Sequence, residues 1–250
     1  MESTYRLITI PPSHYCEKAR WALDYASIPY REERHPPLFH LRATKLVGRG
    51  RSTPVLVTKD EVLSDSTDIL LYLDAHHVDG WRPYPQDPDL RIETKKLEDL
   101  FDIRLGPHTR RLAYYYLLQH KQLFLDSVLA GVGRTESALF RACLPVITRL
   151  MRRGMNITAE SAERSLDYIR TVFASVDDLL SDGRTFLTGD LFSAADLTFA
   201  ALAAPVLLPK NYGSRLPTLD DVPTELLATI DEFRTSRAGA FALRIYRDHR

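Results

Sequence analysis

The sequence predicts a small α/β domain followed by a larger all-α domain, and three observations lead to this prediction. Strand and helix patterns alternate over the first 80 residues. Three prolines then follow within residues 80–88, where they could continue neither a helix nor a central strand. Beyond that break, apolar residues recur almost everywhere at helical spacing. We therefore expect one domain over residues 1–79, a linker over 80–88 and a second domain over 89–250.

The elements of the first domain follow from its apolar patterns. Residues 7–10 and 28–33 have the character of strands, and residues 15–27 between them have the period of a helix. Residues 54–63 predict a hairpin turning at a Lys-Asp pair, and a short helix follows over 66–74. A β-α-β unit followed by β-β-α is the thioredoxin-like order.

The second domain is expected to be a helical bundle. A Gly-Pro pair at residues 106–107 should end its first helix sharply, and the arginine-rich tail over 244–250 is expected to be solvated. The predicted helices cover residues 89–105, 111–129, 138–153, 158–180, 193–206 and 224–234.

The charge balance and the cysteine content exclude several kinds of protein. The chain of 250 residues carries 33 basic and 33 acidic side chains, so neither nucleic acid nor an anionic membrane surface is an expected partner. No apolar run approaches the roughly 20 residues of a membrane span, and the first residues lack the pattern of a signal peptide. The two cysteines, Cys16 and Cys143, make no disulfide framework. We therefore expect a soluble cytoplasmic protein with reduced thiols.

Ser13 and Cys16 fall at the first turn of the helix that follows the first strand. Backbone N–H groups are unpaired at such a turn, and the helix dipole there favours an anion such as a thiolate. The turn is therefore a candidate site for thiol chemistry. His14 either faces solvent or lies beside the thiol and tunes its pKa.

Two other segments of the first domain could hold a ligand. Ser66 can cap the helix that it opens and bind a carboxylate there, while Asp65 could receive an ammonium group. An ordinary capped helix is the alternative. Thr53-Pro54-Val55 begins a strand, and a cis proline there would turn main-chain groups towards the first helix, whereas a trans proline is the commoner case.

In the second domain, Ser193 and Asp196 form a capping box at the start of a helix. We interpret this pair as structural, because a cap of this kind contributes about 1–2 kcal/mol to stability without any ligand.

Taken together, these motifs resemble the cytosolic glutathione transferase family. The likeness spans almost the whole chain, and it rests on the order of motifs that are each weak alone. These motifs are Ser13-x-x-Cys16-x-Lys18-x-Arg20, Thr53-Pro54-Val55-Leu56, Asp65-Ser66-x-x-Ile69-Leu70-x-Tyr72-Leu73 and Gly189-Asp190-x-Phe192-Ser193-x-Ala195-Asp196. The resemblance implies a thioredoxin-like glutathione domain, a helical domain that completes the pocket for the electrophile, a homodimer and no metal.

The resemblance also assigns catalytic roles. Ser13 corresponds to the catalytic hydroxyl of Ser-type members, and it would donate a hydrogen bond to the glutathione sulfur and favour the thiolate. Cys16 is a packed helix residue or, in the alternative chemistry, the nucleophile of a glutathione-dependent thiol transferase. A non-catalytic module that binds ligands or docks partners is the third alternative. Tyr115 is expected to line the electrophile pocket.

The resemblance further assigns the parts of glutathione to residues of the first domain. Pro54 would be cis, and Thr53 or Val55 would bind the cysteinyl part through main-chain groups. Asp65 and Ser66 would hold the γ-glutamyl end. The candidates for the glycine carboxylate are Arg51 and His40. The electrophile itself is expected to be small and apolar.

Overall fold

The computed structural model describes residues 5–48, 50–76 and 80–250. Within them the chain folds as a thioredoxin-like α/β domain followed by a largely helical region, which is the fold class that the sequence predicts.

The first domain contains one sheet of four strands, β1 Tyr5–Thr9, β2 Tyr30–Arg34, β3 Val55–Val57 and β4 Val62–Leu63. Their order across the sheet is β2-β1-β3-β4. Strand β1 pairs in parallel with β2 and antiparallel with β3, and β3 pairs antiparallel with β4. The parallel pair requires a crossover, which helix α1, His14–Tyr25, supplies. All four strands agree with the sequence prediction, with bounds that differ by at most two residues.

Two further helices complete this domain, α2 His40–Leu46 and α3 Ser66–His76. The sequence does not predict α2. Its N-cap position is Phe39, which has no side-chain cap, so the usual start signal is missing.

The second domain is built around helix α10, Ala194–Leu207, which is buried along nearly its whole length. It packs against α1 and against three helices of its own domain, α4 (Pro88–Arg104), α5 (Gly106–Leu117) and α12 (Arg237–His249). A helix that is apolar on all sides must lie inside the core. Helix α10 therefore joins the two domains as well as filling the second one. The helices of this domain are α4 Pro88–Arg104, α5 Gly106–Leu117, α6 Lys121–Val128, α7 Arg134–Ala142, α8 Leu144–Gly154, α9 Ala159–Leu179, α10 Ala194–Leu207, α11 Thr224–Thr235 and α12 Arg237–His249.

Two predicted helices are each divided in the structure. The segment predicted over 111–129 forms α5 and α6, which are separated at residues 118–120. The segment predicted over 138–153 forms α7 and α8, and Pro145 lies in the first turn of α8. Proline suits that position because its missing N–H has no partner within the helix there.

The C-terminal tail is helical, and the prediction of solvated charges there is wrong for Arg250, whereas the Arg247 side chain is exposed. Helix α12 begins after Ser236, whose side chain accepts a hydrogen bond from the N–H of Gly239. Arg250 then forms ion pairs with the buried carboxylate of Glu17 at 2.7 Å and with Asp24 at 2.8 Å. Charged residues near the end of a sequence look solvated when their distant partners are unknown.

None of the helices in residues 5–48, 50–76 and 80–250 is both long and apolar enough to cross a membrane.

Candidate functional site

A cavity of about 800 Å³ opens between the two domains beside the N-terminus of α1. The first domain contributes the turn before α1 and the loops around β3. The second domain contributes a largely apolar wall from α5, α8, the end of α10 and the segment leading to α11. The lining residues are Ile10, Pro12, Ser13, His14, Tyr15, Pro37, Leu38, His40, Arg51, Ser52, Thr53, Arg110, Ala113, Tyr114, Leu117, Ser127, Leu150, Met151, Arg153, Gly154, Met155, Pro205, Leu208, Leu216, Pro217, Val222 and Leu226.

Ser13 is the N-cap residue of α1 and lines this cavity. Its backbone is extended, and its Oγ accepts a hydrogen bond from the N–H of Cys16 at 3.4 Å. The hydroxyl therefore lies where the positive end of the helix dipole meets the cavity. An anion at this position would receive both the dipole and a hydroxyl donor.

Cys16 lies behind Ser13 and is fully buried. Its sulfur accepts the N–H of Ile10 at 3.5 Å. Burial raises the pKa of the Cys16 thiol, against the opposing effects of the Arg20 charge and of hydrogen bonds from Ser13, Ile10 and Thr53. A thiol that is buried and protonated is a poor nucleophile.

His14 does not face bulk solvent, which was one of the two sequence-based expectations. It is only 2 % exposed, and its Nε2 lies 2.9 Å from the carbonyl oxygen of Gly106 at the start of α5. Because a carbonyl only accepts, Nε2 carries the hydrogen. Burial, together with the charge of Arg110, lowers the pKa of His14 to about 3. The imidazole is therefore a neutral contact between the domains.

Tyr15 makes a second contact with the same junction of α4 and α5. Its hydroxyl donates to the carbonyl oxygen of Asp102 at 2.8 Å. A Cβ at Gly106 would collide with this hydroxyl, so the junction needs glycine. His14 and Tyr15 together fix the first turn of α1 against the second domain.

The segment before β3 reaches the cavity at Thr53. The Thr53–Pro54 peptide bond is cis. Val55 pairs with Ile8 of β1 and is buried, so its side chain belongs to the core. Of these three residues, only Thr53 lines the cavity.

Asp65 and Ser66 lie at the start of α3, outside the cavity lining. The Asp65 carboxylate accepts the N–H of Thr67 at 2.8 Å, so Asp65 caps the helix rather than Ser66. Asp65 is exposed, whereas Ser66 is buried.

Arg51 and His40 both line the cavity but differ in what they can bind. Arg51 is exposed. His40 is largely buried, and its Nε2 donates to the carbonyl oxygen of Arg51 at 3.0 Å. Burial lowers the pKa of His40, against its hydrogen bond to Arg51. This arrangement makes Arg51 the better candidate for an anion and His40 a support for the loop.

The cavity wall on α5 is formed by Tyr114 rather than the expected Tyr115. Tyr115 turns to the side, where its ring packs against that of Tyr116 at 5.2 Å in an edge-on arrangement. Burial raises the pKa of Tyr114 to about 12, although the charge of Arg110 opposes the shift.

Arg110 and Arg153 also line the cavity, and the sequence analysis did not identify them. A signal was present for Arg110, because residues 110, 113, 114 and 117 lie on one face of a helix. Arg110 is half-buried and Arg153 is exposed. The apolar pattern of the sequence does not distinguish this helical face from the others, because the opposing wall of the cavity comes from distant residues.

A buried polar cluster beneath α1 was also missed. The Lys18 ammonium lies 2.8 Å from both the Glu98 and Asp102 carboxylates of α4, and it donates to the Thr67 hydroxyl at 3.1 Å. Tyr84 donates to Glu98 at 2.6 Å. This cluster ties α1 and α3 to α4.

The capping box of the second domain is present. The Asp196 carboxylate accepts the N–H of Ser193 at 2.8 Å, its hydroxyl at 2.7 Å, and the N–H of Leu187 at 2.7 Å. Burial raises the pKa of Asp196 to about 6, against these hydrogen bonds. The pair lies outside the cavity lining, which agrees with a structural role.

Sequence comparison relates the first domain to a known family. Residues 7–81 match the family model for the N-terminal domain of glutathione S-transferases. No curated protein sequence matches the chain.

Solved structures with the same fold include several glutathione S-transferases and a β-etherase. A possible glutathione S-transferase from Rhodopseudomonas palustris has a TM-score of 0.61 at 16% identity, covering 99% of this chain and 95% of that one. A β-etherase from Sphingobium sp. strain SYK-6 has a TM-score of 0.61 at 17% identity, with coverages of 96% and 99%. A glutathione S-transferase from Methylobacterium radiotolerans, solved in complex with glutathione sulfonate, has a TM-score of 0.56 at 18% identity, with coverages of 96% and 94%.

Proposed function

We propose that this protein is a glutathione transferase of the Ser type, which activates the glutathione thiol for attack on a small apolar electrophile. One observation carries the proposal: Ser13 is the N-cap residue of α1 and lines the cavity, while the Cys16 thiol is fully buried. The match of residues 7–81 to the glutathione S-transferase N-terminal domain supports the same assignment.

The proposed role of Ser13 is to stabilise a thiolate. A free thiol has a pKa of about 8.5 and is mostly protonated at neutral pH. A hydrogen bond from the Ser13 hydroxyl and the dipole of α1 would both favour the anion of the glutathione sulfur. The sulfur then forms a bond to the electrophilic carbon, and Ser13 itself forms no covalent bond.

The rest of glutathione would extend along the first domain. Main-chain groups of Thr53 and Val55 on either side of Pro54 would bind the cysteinyl part. Asp65 and Ser66 would bind the γ-glutamyl end, and Arg51, supported by His40, would bind the glycine carboxylate. Tyr114 replaces Tyr115 as the aromatic wall for the electrophile.

The assembly and the location of the enzyme are part of the proposal. Helix α4 exposes Ile92, Leu100 and Ile103 along one side. Exposed apolar side chains on one helical face favour a protein interface, and we assign this face to a homodimer. We place the enzyme in the cytoplasm, where a reduced thiol cosubstrate is available.

The test is the substitution Ser13→Ala, with the exposed serine Ser175→Ala as a matched control. We expect Ser13→Ala to lower kcat for conjugation of 1-chloro-2,4-dinitrobenzene by about 10²–10³-fold, the usual effect of removing one donor to a developing anion. Glutathione affinity, measured by calorimetry, should change little. Thiolate absorbance near 240 nm should show a raised pKa for bound glutathione.

The opposite result would assign the chemistry to Cys16. In that case Ser13→Ala keeps full turnover, Cys16→Ala abolishes it, and intact mass shows a glutathione adduct on Cys16. Failure of the folded protein to bind glutathione at all would indicate the non-catalytic module instead.

A further inference from the structure

We infer that the second substrate carries a carboxylate or similar anionic group at one end of an apolar body, and that Arg110 binds this group. The inference rests on the proposed function, because it assigns the part of the cavity that glutathione would leave open.

The charged side chains among the described lining residues are all basic. Among the lining residues that the structure describes, there are three arginines, Arg51, Arg110 and Arg153, and no aspartate or glutamate. The chain as a whole has equal numbers of basic and acidic side chains. The excess of positive charge is therefore a local property of the cavity and not of the protein surface.

Arg110 is the arginine placed deepest in this wall. It is half-buried, whereas Arg51 and Arg153 are exposed. Its charge acts on three residues that line the same cavity. Burial and the Arg110 charge together lower the pKa of His14, and the Arg110 charge opposes the rise in pKa that burial causes for Tyr15 and Tyr114. None of these neighbours supplies a negative charge at neutral pH.

The neighbouring arginine shows what a structural role looks like in this helix. Arg111 donates through Nε to the carbonyl oxygen of Met155 at 3.0 Å and through a terminal nitrogen to Ser165 at 3.0 Å. In the part of the chain that the structure describes, Arg110 has no such hydrogen bond and no ion pair. A cation that is partly removed from water without a partner costs free energy, which a ligand carboxylate would offset.

Glutathione does not need Arg110. Its two carboxylates would lie at Ser66 and at Arg51, both on the first domain, whereas Arg110 belongs to the helical wall across the cavity. The planar guanidinium can bind a carboxylate through two parallel hydrogen bonds. Apolar side chains surround it on the same wall, including Leu117, Met151 and Leu226. The chemistry that fits this wall is an apolar or aromatic acid.

The kinetic test compares an acid with its neutral ester. The substrates are 4-chloro-3-nitrobenzoate and its methyl ester, on which glutathione sulfur bonds to the ring carbon, chloride leaves with the electrons of the C–Cl bond and the thiol proton passes to solvent. Arg110→Met should raise KM for the acid by about tenfold or more, the effect expected for a lost hydrogen bond to a charged group. KM for the ester and for glutathione should stay within twofold, and Arg110→Lys should retain part of the preference.

The matched control is Arg104→Met, an exposed arginine outside the cavity lining, which should leave all three KM values unchanged. If Arg110→Met raises KM for the acid and for the ester equally, Arg110 affects glutathione binding or the packing of the cavity wall. The inference is then wrong.

A binding test separates this inference from the proposed function. We expect the anionic dye 8-anilinonaphthalene-1-sulfonate to bind wild type more tightly than the uncharged N-phenyl-1-naphthylamine, with the difference lost in Arg110→Met. If this preference is present although glutathione does not bind, the proposed function fails and the anion site stands. If glutathione binds and wild type shows no preference between the dyes, the anion site fails and the proposed function stands.

Discussion

The charges beneath helix α1 and the charges around the cavity are arranged in opposite ways. Beneath the helix, Lys18 is completely buried and lies 2.8 Å from each of two carboxylates, Glu98 and Asp102. Around the cavity, three arginines occur without one carboxylate among the described lining residues. The two regions are close in the fold, since Tyr15 and Lys18 of one helix both reach Asp102.

This difference indicates which charges serve the fold and which serve a ligand. A buried charge is tolerated only with an opposite charge and hydrogen bonds around it. Burial acts to lower the pKa of Lys18, but the charges of Glu98 and Asp102 outweigh it and raise that pKa. Arg110 has no comparable partner in the described part of the chain, so we expect its charge to add no stability to the fold and to be available for binding.

The largest loss of stability is expected when the buried charge cluster beneath α1 loses its cation. Lys18→Met leaves Glu98 and Asp102 buried without their cation, and we expect the free energy of unfolding to fall by about 3–5 kcal/mol. Urea denaturation followed by circular dichroism measures this change. The control is the exposed Lys96→Met on the same α4, which should stay within about 0.5 kcal/mol of wild type. A loss below 1 kcal/mol in Lys18→Met would show that the cluster is not the stabilising region.

A second, smaller effect concerns His14, which belongs to the cavity edge and is held neutral. Its pKa is about 3 in the folded protein and 6.5 in the unfolded chain. The unfolded state therefore binds a proton as pH falls below 6.5, and the folded state does not, so stability is lost over that window. We expect this group to reduce the free energy of unfolding by about 2 kcal/mol between pH 8 and pH 5.

The measurement for His14 is urea denaturation across this pH range. His14→Asn keeps a donor for the Gly106 carbonyl but removes the titration, so its profile should be flatter than wild type by that amount. The exposed His76→Asn serves as the control for replacing a histidine by asparagine elsewhere in the chain. If stability depends on pH equally in wild type and His14→Asn, then His14 binds a proton in the folded protein over the same pH range as in the unfolded chain.

The smallest effect on stability is expected at Arg110. Because Arg110 has no ion pair among the described residues, Arg110→Met should change the free energy of unfolding by no more than about 0.5 kcal/mol, or raise it slightly. Denaturation in urea under the conditions used for Lys18→Met provides the comparison. A loss of several kcal/mol would show that Arg110 stabilises the fold, as Lys18 does. Its proposed role in binding a ligand would then lose its support.

The order of elements in the fold could be predicted from local patterns, but several helix ends could not. Strands β1 to β4 and helices α1, α3 and α9 follow from apolar spacing and from caps such as the Thr158–Ser161 capping box of α9. The breaks between α5 and α6 and between α7 and α8 could not be predicted, because the helical spacing of apolar residues continues through both breaks in the sequence. The sequence does not predict helix α12, and the ion pair that holds Arg250 after this helix involves Glu17, which lies 233 positions away.

In the candidate site, the sequence identified the residues of the first domain more completely than those of the second. Ser13 and Thr53 lie within short motifs whose backbone positions their neighbours determine. Tyr114 and Arg110 depend on the rotation of α5 about its own axis, which packing against distant helices decides. One residue of shift along a helix turns a side chain by about 100°, so Tyr115 lies to the side of the wall that Tyr114 forms.

The sequence by itself determined the thioredoxin-like order, the helical second domain, and the presence of a hydroxyl at the start of α1. Only the tertiary structure decided that Ser13 lines the cavity, that Cys16 is fully buried, and that Lys18 is paired while Arg110 has no ion pair among the described residues. The reason is physical. Helix caps and apolar periods act between neighbours in the chain, whereas burial and charge pairing depend on residues such as Glu98, Asp102 and Gly106 that lie some 80 to 90 positions away from α1.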